Sequence, residues 1–226
     1  MEVYSADITT FTSSFRYPML ISGTQLTLEV PPISTILGLI NAAAGQYLEY
    51  KECLIGYYFE YAGKGIDVET IYMAEVNKGG GLIRSTRSNV VKREFIFDNF
   101  LRLYSSEKKI IDYFKAPIYP LVLGRSSDLA TVEIKSIQKR HLRLISNADK
   151  IKGQVIPFSK DHLPGRIQPL AQYFTDTYPR QMLGKEPYTI INCHGMVSST
   201  LKAYRDEING KEIDIVFHEI DTRILY

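Results

Sequence analysis

Three short segments of this chain carry residue types that could bind a polyanion. Between Lys78 and Arg93 lie five basic residues (Lys78, Arg84, Arg87, Lys92 and Arg93) and no acid, and Gly79-Gly80-Gly81 gives them a flexible base. Such an arm either folds onto nucleic acid or stays a solvated loop. In Leu123-Gly124-Arg125-Ser126-Ser127-Asp128, the glycine gives backbone freedom and the hydroxyls can bond N–H groups. Arg125 there could grip a phosphate or stack on a base; as structure alone, the segment is a turn with a solvated arginine. In Val30-Pro31-Pro32-Ile33-Ser34-Thr35-Ile36-Leu37-Gly38, a rigid diproline precedes a helix for which Ser34 or Thr35 is the expected cap. A helix start offers free N–H groups and the positive end of its dipole to a phosphate. Gly38 costs that helix about 1 kcal/mol relative to Ala. Either tight packing on a sheet or the close approach of a ligand would offset it.

Catalytic patterns are missing. There is no G-x-x-x-x-G-K-[ST], no G-x-G-x-x-G and no G-x-S-x-G. His141, beside Lys139-Arg140, could act as a general base in RNA cleavage, or it is a surface residue on a basic strand. The histidines His141, His162, His194 and His218 are scattered, and no Cys/His spacing resembles a zinc site. Cys53 and Cys193 set no disulfide framework and are expected as reduced thiols. No cofactor is expected.

The 226 residues suffice for one large domain or two small ones with a sizeable core. A hydrophobic fraction of 45% and a charged fraction of 23% exclude a largely disordered chain. The net charge of +2 is weak for a nucleic-acid binder, but its distribution is uneven. Lys135 to Lys152 holds six basic residues against Asp149 alone, whereas from Arg205 onward six acids face three bases. That pattern suits a polyanion on one face and a protein partner elsewhere. Met1-Glu2-Val3 begins no basic-then-apolar leader, and the longest apolar stretch, residues 33–45, is too short to span a bilayer. Cytoplasmic residence is therefore the expectation.

The elements that must position these groups follow from periodicity. Tyr4, Ala6 and Ile8 alternate on one strand face, with a phase slip to Phe11 that predicts a bulge. A buried helix runs to about Glu49, with Ile36, Leu37, Leu39, Ile40, Ala43 and Ala44 around much of its circumference. Strands follow at Ile55–Tyr61, at Ile66–Tyr72 and at Phe95–Leu103. Ser106 is expected to cap a short helix carrying Ile110, Ile111 and Phe114, and residues 118–123 are the next strand candidate. The order β-α-β-β-α-β predicts an α+β, ferredoxin-like (RRM-like) domain over residues 1–130. The long excursion at about 63–94 predicts a protruding β-hairpin. Residues 131–226, punctuated by prolines, are expected to form a smaller β-rich domain.

Three segments taken together resemble the Cas-five family of CRISPR-associated proteins, within the RAMP superfamily of RNA-binding ferredoxin-like folds. Ser14-Phe15-Arg16-Tyr17-Pro18 is similar to that family's Phe-Arg-x-Pro pattern. Residues 27–43, with Thr27-Leu28-Glu29-Val30-Pro31-Pro32-Ile33-Ser34-Thr35 and Gly38, resemble its Thr-Leu-x-x-Pro-Pro-x-Ser-Thr-x-x-Gly stretch. Leu123-Gly124-Arg125-Ser126 resembles its Leu-Gly-Arg-Ser turn. The resemblance spans about residues 1–130 and looks nearest the type I-B versions.

The resemblance implies a non-catalytic subunit of the type I CRISPR effector, Cascade. Such a subunit binds the repeat-derived 5′ handle of the CRISPR guide RNA and caps the backbone of the complex. Its implied partners are a Cas-seven family backbone subunit and a Cas-eight family large subunit, with target DNA met indirectly, in antiviral defence or transposon guidance. The excursion with Arg84 and Arg87 is the candidate thumb. One family branch cleaves precursor RNA with an adjacent Lys and His. This chain has no Lys-His pair, so metal-independent endoribonuclease activity is the alternative rather than the expectation. The residues expected near RNA are Arg16, Ser34, Thr35, Gly38, Lys78, Arg84, Arg87, Lys92, Arg93, Gly124, Arg125 and Ser126.

Overall fold

The computed structural model describes residues 1–17, 23–76, 83–159 and 163–224. It is mostly β-structure with few helices. The chain starts in β1 (Glu2–Ser13), then makes three two-residue strands, β2 (Phe15–Arg16), β3 (Thr24–Gln25) and β4 (Thr27–Leu28). Helix α1 (Ile33–Ala44) leads to a long antiparallel pair, β5 (Cys53–Val76) and β6 (Ile83–Ser105). Next come α2 (Lys108–Asp112), a 3₁₀ turn at Tyr113–Lys115, β7 (Ala130–His141) and β8 (Arg143–Ile145). The remainder holds β9 (Gln154–Pro157), β10 (Arg166–Phe174), β11 (Met182–Ile191), β12 (Ala203–Ile208), β13 (Lys211–Ile215) and β14 (His218–Ile220).

The large sheet runs β14-β5-β6-β1-β7, antiparallel throughout that path, and β3 joins β6 in parallel at Thr24↔Lys92 and Gln25↔Arg93. Smaller sheets run β10-β11-β9 and β13-β12-β8. Two strand expectations change. Residues 55–61 and 66–72 form one strand, because β6 pairs with both in a single register. Residues 118–123 form only an isolated bridge, Val122↔Leu129, and the strand beside β1 is β7, which the sequence reading gave to the second domain. Alternation of β7 is masked by polar residues such as Lys135 and Lys139, since this edge strand is half solvated. The phase slip at Phe11 does not return that ring to the core: Phe11 is 90% exposed.

The main core forms between the sheet and α1, where Ile33, Ile36, Leu37, Leu39, Ile40 and Ala43 meet Ala6, Ile8, Tyr57, Phe59, Leu101 and Leu103. Pro32, rather than Ser34 or Thr35, caps the helix: its carbonyl accepts from the N–H groups of Thr35 and Ile36. Ser34 and Thr35 thus lie in the first turn with their hydroxyls uncommitted to capping. Tyr57 donates its hydroxyl to the Pro31 carbonyl at 2.7 Å and fixes the diproline on the sheet. Gly45 ends the helix in the left-handed region at φ 72°, and a Cβ there would meet Ile118 at 2.7 Å. α2 likewise begins without a side-chain cap from Ser106; its N-cap is Glu107.

A buried ion pair ties the C-terminal strands to the sheet. Asp7 and Arg102 face each other across β1 and β6, with Nε and Nη2 each 2.6 Å from a carboxylate oxygen. Arg102 Nη1 also donates to the Glu207 carbonyl on β12. No helix among the described residues is long and apolar enough to cross a membrane.

Candidate nucleic-acid interface

The N-terminal end of α1 opens into a cavity of about 580 Å³. Arg16 reaches it from β2, Arg93 from β6 and Arg125 from the turn before β7, together with Ser34, Thr35 and Gly124. The far wall is Pro169, Leu170, Ala171 and Phe174 of β10 and Met182 and Lys185 of β11. Arginines distant in sequence therefore converge because β2, the middle of β6 and the turn before β7 all border the first turn of α1.

Local bonds hold Arg125 and Arg93. Arg125 Nη2 donates to Ser14 Oγ at 3.0 Å, and Ser14 Oγ donates to the Glu94 carbonyl at 3.0 Å. Buried Asp128 closes the turn: Oδ2 accepts the Arg125 N–H at 2.9 Å, and Oδ1 accepts the Thr12 hydroxyl at 2.9 Å. Gly124 sits at φ 128°, and a Cβ there would meet the Ser14 backbone nitrogen at 2.8 Å. Glycine is required at this position both by conformation and by space. Arg93 pairs with Glu69, yet its Nε is buried with no hydrogen-bond partner. Burial first, then the Arg125 and Arg16 guanidinia, pull the Arg93 pKa below the ordinary arginine range. Burial also lowers Arg125, against the opposing pull of Asp128 and Asp67. Arg93 thus feels the charge of both other guanidinia, and an anion entering the cavity meets all three.

Arg16, Ser34, Thr35, Arg93, Gly124 and Arg125 are thus brought together. The other expected residues are placed elsewhere. Lys92 alternates with Arg93 along β6 and points to the opposite face of the strand, exposed. Ser126 is exposed on the turn and does not line the cavity. Gly38 is exposed and borders a second, adjoining cavity. A Cβ on Gly38 would meet nothing within 4 Å, so packing on the sheet does not explain it. Arg87 is exposed on the outer part of the β5–β6 ribbon, opposite Met73. The backbone of Arg84 belongs to β6, while its side chain, Lys78 and Gly79-Gly80-Gly81 lie outside the described residues. His141 is well exposed beside Glu2 at 3.5 Å, away from the cavity.

Sequence reasoning missed Lys185, Phe174 and Met182, which β10 and β11 deliver to the same cavity. Their segment had no motif, and the pairing Phe174↔Met182 that brings them to the cavity is a tertiary fact.

Comparison with solved structures places this architecture. A chain of a CRISPR RNA-guided surveillance complex superposes with a TM-score of 0.56 over 88% of this chain and 92% of its own, at 16% identity. A chain of the type III-B Cmr-beta complex bound to cognate target RNA and AMPPnP gives 0.53 over 88% and 86%, at 10% identity. This chain shares the fold of those CRISPR complex chains. No protein-family model and no curated protein sequence matches it.

Proposed function

We propose that this chain is a non-catalytic, RNA-binding subunit of a CRISPR effector complex that holds the repeat-derived 5′ handle of the guide RNA. The observation that carries this reading is the convergence of Arg16, Arg93 and Arg125 on the first turn of α1. Guanidinia, free helix N–H groups and the Ser34 and Thr35 hydroxyls are phosphate ligands, and the unpartnered Arg93 Nε is a donor that a phosphate oxygen would satisfy. Arg16, Ser34, Thr35 and Arg125 also lie in the segments that carry the Cas-five resemblance, and the fold likeness to chains of RNA-guided CRISPR complexes agrees with it. The ferredoxin-like reading is supported by the order β5-β6-β1-β7 with α1 across one face. The β5–β6 ribbon, paired as far as Val76↔Ile83 with Ile66, Val68, Tyr72 and Val90 exposed, is our candidate thumb. It would meet the Cas-seven family subunit, with a Cas-eight family subunit as the further partner, in a type I-B-like assembly.

The test is RNA capture. Sequencing RNA from the native assembly should return a constant repeat-derived 5′ end. Arg125→Ala and Arg93→Ala should each weaken binding of that RNA and reduce the salt slope by about 1. Unchanged affinity and slope in both variants would remove this assignment. Cleavage of repeat RNA in EDTA by the purified chain would favour the endoribonuclease alternative instead.

A further inference from the structure

Next to the arginine cavity lies a second cavity of about 520 Å³, and the two share Ser34 and Phe174 as a common rim. Its chemistry differs from the first. In place of clustered arginines it presents the rings of Tyr47, Tyr119, Tyr173 and Phe174, with Arg180 and Asp176 at its edge and Gly38 on its floor. Its volume is within the roughly 300–1,000 Å³ of small-ligand pockets.

The walls are built rather than incidental. The N–H groups of Ile118 and Tyr119 donate to the Ala43 and Ala42 carbonyls at 3.1 and 3.2 Å, which seats Tyr119 against the end of α1 while leaving it 57% exposed. Tyr173 is held by Asn41 Nδ2, which donates to its hydroxyl at 2.8 Å. Phe174, 38% exposed, stands between the cavities. Gly38 opens the floor, since no protein atom lies where its Cβ would be. A site with cations alone would take any phosphate. Aromatic faces, one cation and one carboxylate within a single pocket instead match a nucleobase, which has two π-faces and an edge of donors and acceptors.

We propose that the cavity over Gly38 is a nucleobase pocket, entered by an unpaired base whose neighbouring phosphates lie in the arginine cavity. Tyr119 or Phe174 supplies the stacking face, and Arg180 and Asp176 meet the base edge. This inference rests on the RNA-binding reading above and adds a second subsite to it.

The experiment uses the full chain and a single-stranded octa-uridylate carrying 4-thiouridine. Irradiated wild type should cross-link at Tyr119, Phe174 or Arg180 as well as around Arg125. Gly38→Phe, which fills the floor, should abolish the first set and keep the second, and weaken binding roughly tenfold. Tyr119→Ala, at an exposed position, should weaken binding by a similar factor, near the lower end of base–aromatic stacking; it decides the matter if Gly38→Phe does not fold. Cross-links confined to the Arg125 region, with both variants binding as wild type, overturn the pocket and leave the RNA-binding reading standing. No binding by wild type, or binding indifferent to Arg125→Ala, overturns both.

Discussion

Arg125 and Ser14 lie 111 residues apart in sequence and meet at 3.0 Å, Nη2 to Oγ. That bond aims the guanidinium into the cavity, and the turn beneath it leaves no space for a side chain at Gly124. Gly124→Ala would place a Cβ 2.8 Å from the Ser14 nitrogen and 2.8 Å from Asp128 Oδ2, at a φ that alanine rarely adopts. We expect a loss of about 1–3 kcal/mol in urea unfolding and weaker RNA binding. A variant with unchanged stability and binding would show that the turn tolerates displacement.

Gly38→Ala should have the opposite sign. Its Cβ enters open space in mid-helix, so the variant gains about 1 kcal/mol of helix propensity, which is about 2–4 °C in Tm for a chain of this size. A fall in Tm on calorimetry would mean that Gly38 has a structural role after all.

His218 gives the protein an acid sensitivity. Its ring is buried, stacked on Tyr57 with Tyr188 alongside, and burial lowers its pKa to about 4, against a smaller opposing effect from the Val155 backbone. The unfolded chain takes up a proton near pH 6.5, whereas folded His218 stays neutral to about 4. Its contribution is therefore fully present above pH 6.5 and is lost as pH falls towards 4, by about 3 kcal/mol in all. Wild type should lose about 2–3 kcal/mol more than His218→Phe between pH 7 and 4.5 in urea titrations. Parallel losses in the two proteins would contradict this.

Asp214 joins β13 to β12 and to the preceding loop. Fully buried, it accepts from Arg205 Nε at 2.6 Å and Nη2 at 2.9 Å, and from the Asp149 and Lys150 N–H groups at 2.9 Å. Asp214→Ala strands the two N–H groups and takes from Arg205 its buried partner, leaving the guanidinium to Asp149 and Glu212, and should cost about 3 kcal/mol. In a double-mutant cycle with Arg205→Ala the losses should be well below additive. Additive losses would show that the pair is not coupled.

Local pattern made part of this legible. The apolar run from Ile33 to Ala43 has only one buried way to sit, and period-two runs such as Ile55–Tyr61 read directly as strands. The basic run from Thr131 to Ile145 reads as a strand as well, but nothing in it says that β7 pairs with β1 in the large sheet rather than with the strands that follow it. Arg16 was legible in the family pattern, Arg93 in the basic run and Arg125 in its glycine turn, but nothing local distinguishes Arg93, which faces the cavity, from Lys92, which does not. One step along a strand reverses the face, and only register decides which face is occupied.

By itself, the sequence determined the buried α1, the glycine turn at Gly124, the long β excursion and the absence of familiar catalytic motifs. These depend on composition and spacing within a few residues. Only the tertiary structure decided that β7 completes the large sheet, that Lys185 and Phe174 face the arginines, and that Gly38 opens a cavity. Each of those depends on contacts between residues far apart in the chain, which hydrophobic burial draws together but no local periodicity encodes.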